Sequence, residues 1–307
     1  MKIFGGRAAV ELTTRICTHL GIEPGRADVF KFSNDNTFVR ILESVRDDDV
    51  FVVQTSCPPV DEALVELLIM VDALKRASAR RITAVLPYYP YVRSDKKDQP
   101  RVPITARLVA DLLAAAGVDR VVAVDLTADQ IQGFFSIPVD HLTAQQVLAE
   151  HFLAKRLPKP VVVAPDPGAV KRAQRFAQRL RAPVAFVDKR RVGEEVKATT
   201  VVGDVSGHQA ILFDEEVDRG GSSLEALGLL TERRVDAVYL ACTHAVFSGP
   251  AVERLAGSQL REVVVTDTVP VPPAKRWDRL TVLSVAPMLA EAIRRIHTGE
   301  SISSLFY

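Results

Sequence analysis

Residues Gln209–Leu230 read QAILFDEEVDRGGSSLEALGLL, an apolar run that meets acids, then a glycine pair, then a stretch of helical period. The order predicts a buried strand, a tight turn and an amphipathic helix. Gly220 and Gly221 let backbone N–H groups approach a ligand closely. Ser222 is expected to cap the helix, so an incoming phosphate meets free donors and the positive helix end. Asp214, Glu215 and Asp218, at the carboxyl end of the strand, can accept hydrogen bonds from vicinal hydroxyls. Phosphate and diol together point to a phosphorylated ribose. The competing reading of the segment alone is an ordinary strand-to-helix turn, capped by Ser222 and flanked by solvated acids.

Outward from this stretch, short β-branched runs alternate with amphipathic segments, the pattern of an α/β protein with mostly parallel sheets flanked by helices. Strands are expected at Val50–Gln54, Ile82–Leu86, Val121–Asp125, Val161–Ala164, Val184–Val187, Ala210–Phe213 and Ala237–Ala241. Between the first two, Leu64, Leu67, Leu68, Val71 and Leu74 recur at three- and four-residue spacing and form one core-facing stripe. The segment AAGVDRVVAVDLTADQIQGF from Ala115 has an echo in ERRVDAVYLACTHAVFSGP from Glu232, each reading helix end, Val-Asp, strand, loop. This agrees with two similar lobes joined near residues 141–160, with LPKP, Leu157 to Pro160, at the entry to the second.

At 307 residues and 48% hydrophobic content the chain can bury two cores. Thirty-nine basic and 38 acidic side chains nearly balance, so nothing points to nucleic acid or an acidic membrane surface, and any anion must be held locally. Cys17, Cys57 and Cys242 are scattered without metal or redox spacing, which fits a reducing cytoplasm. The start of the chain lacks an apolar leader, and no run reaches the roughly 20 residues of a membrane span, so neither export nor spanning is expected. The six histidines, His19, His141, His151, His208, His244 and His297, show no paired ligand spacing. His244 reads as a structural strand-end residue. No GxxxxGK[ST] loop is present.

Several further stretches, in order along the chain, carry a resemblance: VDALKRASARRITAVLPYYPYVRSDKK, RVPITARLVADLL, VDLTADQIQGFF, VDKRR, CTHAVFSGPA, EVVVTDTVP and MLAEAIRRI. With the 209–230 segment they make the chain resemble the ribose-phosphate pyrophosphokinase (phosphoribosyl pyrophosphate synthetase) family. The resemblance implies two phosphoribosyltransferase-like lobes, residues 1–145 and 146–286, with the last helix, about 287–307, packing back on the first. It implies transfer of the diphosphate of Mg·ATP to ribose 5-phosphate. Lys189 and Arg191 match the family's catalytic basic residues on a mobile flap continued by RVGEEVKA. Phe32, Asn34 and Asn36 in KFSNDN, with Arg93 and Ser94 in YVRSD, match the positions that bracket adenine and its phosphates. Asp214, Glu215, Asp218, Arg219, Gly220, Gly221 and Ser222 match the ribose 5-phosphate loop, and Asp166 in APDPG matches a carboxylate that helps hold Mg²⁺. Because the Phe32 loop serves a neighbouring subunit in such enzymes, the resemblance also implies a homo-oligomer built from dimers, up to a hexamer.

The departures fall on functional positions. Thr127 stands where the family usually has a histidine that contacts metal and triphosphate; a hydroxyl offers neither charge nor a nitrogen ligand and reaches Mg²⁺ only weakly or through water. Arg219 replaces a threonine and can clamp phosphate, fill the cradle or swing into solvent. Glu215 lengthens an aspartate arm, Glu216 charges an apolar position, and Ser94 replaces glutamine. An alternative therefore stands beside the enzyme: a catalytically impaired homologue that binds nucleotide or phosphate as a regulatory subunit with a catalytic partner. A phosphoribosyltransferase acting on a base is the weaker third reading, because the match runs through both lobes.

Overall fold

The computed structural model describes residues 1–192 and 195–305; the side chains of residues 189–192, 195–199 and 304 lie outside the description. Its residues group into two compact units. The first comprises Met1–Thr143, Thr268–Pro270 and Val285–Tyr307, and the second Ala144–Asp267 and Val271–Ser284.

The first unit opens with β1 (Lys2–Gly5) and α1 (Val10–Leu20). A hairpin follows, β2 (Ala27–Lys31) and β3 (Thr37–Ile41), paired antiparallel as its own two-stranded sheet. Then come β4 (Asp49–Val53), α2 (Val60–Arg76), β5 (Arg81–Leu86), α3 (Thr105–Ala116), β6 (Arg120–Val124) and β7 (Val139–Leu142). The main sheet runs β1-β4-β5-β6-β7 with every pairing parallel. Val50, Phe51, Val52 and Val53 have no exposed surface, as a strand covered on both faces requires. In α2, Leu67, Val71 and Leu74 are buried, and Leu64 and Leu68 flank them against the same core.

The second unit contains α4 (Gln145–Lys155), β8 (Pro160–Ala164), α5 (Val170–Leu180), β9 (Val184–Val192), β10 (Glu195–Val202), β11 (Gln209–Val217), α6 (Gly221–Glu232), β12 (Ala237–Ala245), α7 (Ala251–Ala256), β13 (Glu262–Thr266) and β14 (Leu280–Leu283). Its sheet runs β10-β9-β8-β11-β12-β13-β14, and only the β9–β10 pairing is antiparallel. The two faces separate by alternation. Val161, Val163, Leu212, Leu240 and Val263 join the core that includes Ala226 and Leu230 of α6. Their neighbours Val162, Ile211, Phe213, Ala241 and Val264 join the core that includes Leu148 of α4 and Phe176 of α5.

From Val285 the chain belongs to the first unit again, where α8 (Ala286–Thr298) buries Leu289, Ala292, Ile293 and Ile296 and packs on α1. Its end is fixed by a buried carboxylate. Asp49 accepts from Arg81 at 2.8 and 2.6 Å and contacts His297 Nδ1 at 2.8 Å, while Arg81 also donates to the Ile296 carbonyl at 2.9 Å.

Two sequence expectations change. LPKP leads from α4 into the first residue of β8 inside the second unit, since α4 already packs in that unit's core. β11 continues past Phe213 to Val217 and β12 past Ala241 to Ala245, because Asp214, Glu216 and Val217 pair in register with Cys242, His244 and Ala245. The two echoed segments do adopt one local form. Val118 N–H returns to the Leu113 carbonyl at 3.1 Å and Val235 N–H to Leu230 at 3.4 Å, ending α3 and α6 alike.

Candidate active site

In the second unit the site residues collect at the carboxyl ends of β8 and β11. Gly220 adopts φ +71° and takes the cap position of α6, which a Cβ would disfavour. Ser222 is therefore the second residue of the helix and not its cap, a correction to the sequence reading. The first intrahelical bond runs from Leu224 N–H to the Gly220 carbonyl at 3.1 Å, so the amides of Gly221, Ser222 and Ser223 precede it at the positive helix end. A Cβ built on Gly221 would meet nothing within 4 Å, so space lies beside the first residue of the helix.

Asp218 is held from the loop after β12, where the Ser248 hydroxyl donates to its carboxylate and Ser248 N–H donates to its carbonyl at 2.9 Å. Arg219 is exposed, and its guanidinium lies along the same loop, with Nε 3.8 Å from where a Cβ of Gly249 would stand. Asp166 is half-buried and caps the short turn before α5, its Oδ1 accepting from Ala169 N–H at 3.1 Å. Glu215 is 7% exposed and pairs with Arg172 of α5 at 2.6 Å. Asp214 accepts from Glu215 N–H at 2.9 Å. Burial, then the charge of Glu215, a hydrogen bond with it and the charge of Asp166, push the Asp214 carboxyl well above its ordinary value, against the pull of Arg172. Burial and the nearby acids likewise push the Cys242 thiol up, away from the thiolate form. His244 is 2% exposed and bridges through its backbone to Asp267, as a strand-end residue would.

Lys189 and Arg191 sit on β9, paired by backbone with Ala198 and Val196 of β10. Their side chains lie outside the described residues. The segment read as a flap is thus ladder-paired at residues 191, 192 and 195–198, with 193–194 outside the description.

In the first unit, Phe32, Asn34 and Asn36 occupy the tip of the β2–β3 hairpin. Phe32 is 49% exposed, with its ring 5.3 Å from both Phe30 and Phe38. Asn34 Oδ1 accepts from Asn36 N–H at 3.3 Å, a local turn that shapes the tip. Arg93 is exposed in the loop after β5, while Ser94 ties that loop to α3, its carbonyl accepting from Ala106 N–H at 3.2 Å. Thr127 is half-buried after β6, beside Leu126, whose N–H donates to His141 Nε2 at 2.9 Å.

Sequence reasoning passed over Arg172, Ser248 and His141. Arg172 alone left a trace: with Lys171 it puts two cations in the first turn of a helix, where the dipole disfavours them. Among the described residues no group of three metal-ligating side chains exists. Mg²⁺ is commonly held by one or two carboxylates together with substrate phosphates, and Asp166, amid the excess negative charge that raises Asp214, fits that kind of site.

A parallel α/β unit whose strand ends in acids and turns through glycine into an open helix N-terminus defines a sugar-phosphate-binding protein. The comparisons narrow the class. Residues 1–117 match the N-terminal domain of ribose phosphate pyrophosphokinase, and residues 189–307 match the phosphoribosyl synthetase-associated domain. The ribose-phosphate pyrophosphokinase of Caldanaerobacter subterraneus subsp. tengcongensis is 50% identical over 100% of this chain and 98% of its own, and that of Bacillus caldolyticus is 48% identical with the same coverage. The crystal structure of phosphoribosylpyrophosphate synthetase from Mycobacterium smegmatis superposes with a TM-score of 0.91 at 46% identity, covering 97% of this chain and 99% of that one. The chain belongs to the ribose-phosphate pyrophosphokinase family, and its fold is the one the resemblance implied.

Proposed function

We propose that the chain is a ribose-phosphate diphosphokinase, transferring the diphosphate of Mg·ATP to the 1-hydroxyl of ribose 5-phosphate and giving phosphoribosyl pyrophosphate and AMP. The hydroxyl oxygen bonds to the β-phosphorus, the bond from that phosphorus to the oxygen of AMP breaks, and the hydroxyl proton is released. The observation that carries the reading is the glycine turn from β11 into the first turn of α6, beside Asp214 and Asp218, in a chain alike from end to end to ribose-phosphate pyrophosphokinases.

The amides of Gly221, Ser222 and Ser223 bind the 5-phosphate, and the acids accept from the ribose hydroxyls. Lys189, Arg191 and Arg93 neutralise charge on the phosphates, and Phe32 stacks on adenine with Asn34 and Asn36 reading its edge. Asp166 holds Mg²⁺, with Thr127 acting through a water; the ion would supply charge neutralisation on the transferred group. Homo-oligomerisation through dimers and a cytoplasmic location complete the reading. Among the described residues no helix is long and apolar enough to cross a membrane. No observation favours the regulatory-subunit alternative.

The test is incubation of purified protein with Mg·ATP and ribose 5-phosphate, following AMP directly and phosphoribosyl pyrophosphate by a coupled reaction. Sugar-dependent formation of both in equal amounts is expected; nucleotide binding without turnover would replace the enzyme by the regulatory homologue.

A further inference from the structure

Glu215 is a carboxylate buried to 7% exposure, and Arg172 is a cation in the first turn of α5, where the helix dipole opposes it. Each placement is unfavourable alone. Together they make an ion pair at 2.6 Å, with the Arg172 side chain 28% exposed and that of Glu215 10% exposed. Glu215 in turn donates its backbone N–H to Asp214 Oδ1 at 2.9 Å, so the contacts run from α5 through Glu215 to Asp214. Buried to 7% exposure and drawn toward Arg172, Glu215 has little surface left to offer a sugar.

We propose that Arg172 is a positioning residue for sugar binding: it holds Glu215 inside the second unit, Glu215 holds the carboxyl of Asp214 toward the ribose hydroxyls, and Glu215 itself does not contact the sugar. The proposal rests on the reading of this loop as the ribose 5-phosphate site. It divides the two adjacent acids, Asp214 and Glu215, between ligand binding and support. An ion pair acting only through Asp214 has a distinctive signature. Loss of either partner weakens sugar binding, loss of both weakens it no further, and the preference for a particular hydroxyl survives.

Steady-state kinetics with ribose 5-phosphate and 2-deoxyribose 5-phosphate separate the possibilities, using the native chain, Arg172→Met, Arg172→Lys, Glu215→Gln and the Arg172→Met/Glu215→Gln double variant. Thermal unfolding of each is recorded alongside. Arg172→Met and Glu215→Gln are expected to raise KM for ribose 5-phosphate about tenfold, with KM for ATP changed less than about twofold. The double variant should be no worse than either single one, Arg172→Lys should recover most of the loss, and the native preference between the two sugars should persist throughout. A Glu215→Gln variant that loses this preference, or a double variant with additive losses, would assign Glu215 to the sugar and overturn the proposal. Lower unfolding temperature with unchanged KM would reduce the pair to a structural one and overturn it equally. Arg172→Lys and Glu215→Gln, which keep side-chain volume, carry the comparison if Arg172→Met does not fold. A native chain with no sugar-dependent AMP formation would remove the underlying reading first, and is distinguished by appearing before any variant is made.

Discussion

Gly220 turns β11 into α6 at φ +71°, and a side chain there would sit 3.4 Å from Leu255. Gly220→Ala is expected to cost about 1–2 kcal/mol of stability and to raise KM for ribose 5-phosphate while leaving KM for ATP unchanged, measured by urea unfolding and initial rates. Thr127 poses the opposite problem, a position where chemistry has been subtracted. If Thr127 lies at the triphosphate, Thr127→His adds a nitrogen ligand there, and kcat/KM for ATP is expected to rise about threefold or more, worth roughly 0.7 kcal/mol of barrier. A fall would mean that this loop, fixed next door by His141, has settled around the hydroxyl. Arg219 shows how a single residue escapes the sequence. Three orientations were open to it, and only the packed loop, with Gly249 at φ +52°, lays the guanidinium along its own surface.

The β2–β3 hairpin and α8 show two ways in which an element earns its place. The hairpin keeps Phe30, Phe32 and Phe38 in mutual edge or tilted contact although Phe30 and Phe32 are over two-fifths exposed. Such exposed aromatic surface suits a base-stacking platform. If Phe32 stacks on adenine, Phe32→Ala loses about 1–3 kcal/mol of stacking, and KM for ATP is expected to rise tenfold or more with thermal stability nearly unchanged. α8 is held instead by charge. Burial works against ionisation of Asp49, yet the hydrogen bonds from Arg81 and His297 outweigh it and keep the carboxyl below its ordinary value of 3.8. A group with a depressed folded value contributes stability above its unfolded value and loses it as pH falls through the folded one. The α8 anchor should therefore be intact at neutral pH and weaken as pH drops below about 3.8, toward the lower folded value. Asp49→Asn should cost about 2 kcal/mol near neutrality, less than a fully buried pair because Arg81 is a third exposed. Urea unfolding at pH 7 and pH 3 should show the difference between native and variant shrinking at the lower pH.

Across the whole molecule, chain order and structural unit do not coincide. The first unit draws on residues 1–143, 268–270 and 285–307, so its core is completed only by the last helix. A chain ending at Ser284 lacks Leu289, Ala292, Ile293 and Ile296 from that core and leaves Asp49 with one partner fewer. It is expected to lose cooperative unfolding of the first unit, detectable as loss of protection of β4 and β5 amides in hydrogen exchange.

What the sequence determined by itself was everything governed by periodicity and local backbone chemistry. The seven strands it announced, the α2 stripe, the Val-Asp entries to β6 and β12 and the glycine turn into α6 all follow from alternation, from 3.6-residue repeats or from a residue able to adopt positive φ. Strands such as β1, β7 and β14, of four residues each, carried too short a pattern to stand out. Only the tertiary structure decided the lengths of β11 and β12, since acids and a histidine extend a strand when a neighbour offers its hydrogen-bonding edge. It alone decided that Gly220 and not Ser222 caps α6, because the cap depends on the φ reached at the end of a packed strand. It alone joined Arg172 to Glu215 and Asp49 to His297, pairs 43 and 248 residues apart. Charges so distant in sequence have no local signature; they are matched only when folding brings both into a medium too poor in water to leave either unpaired.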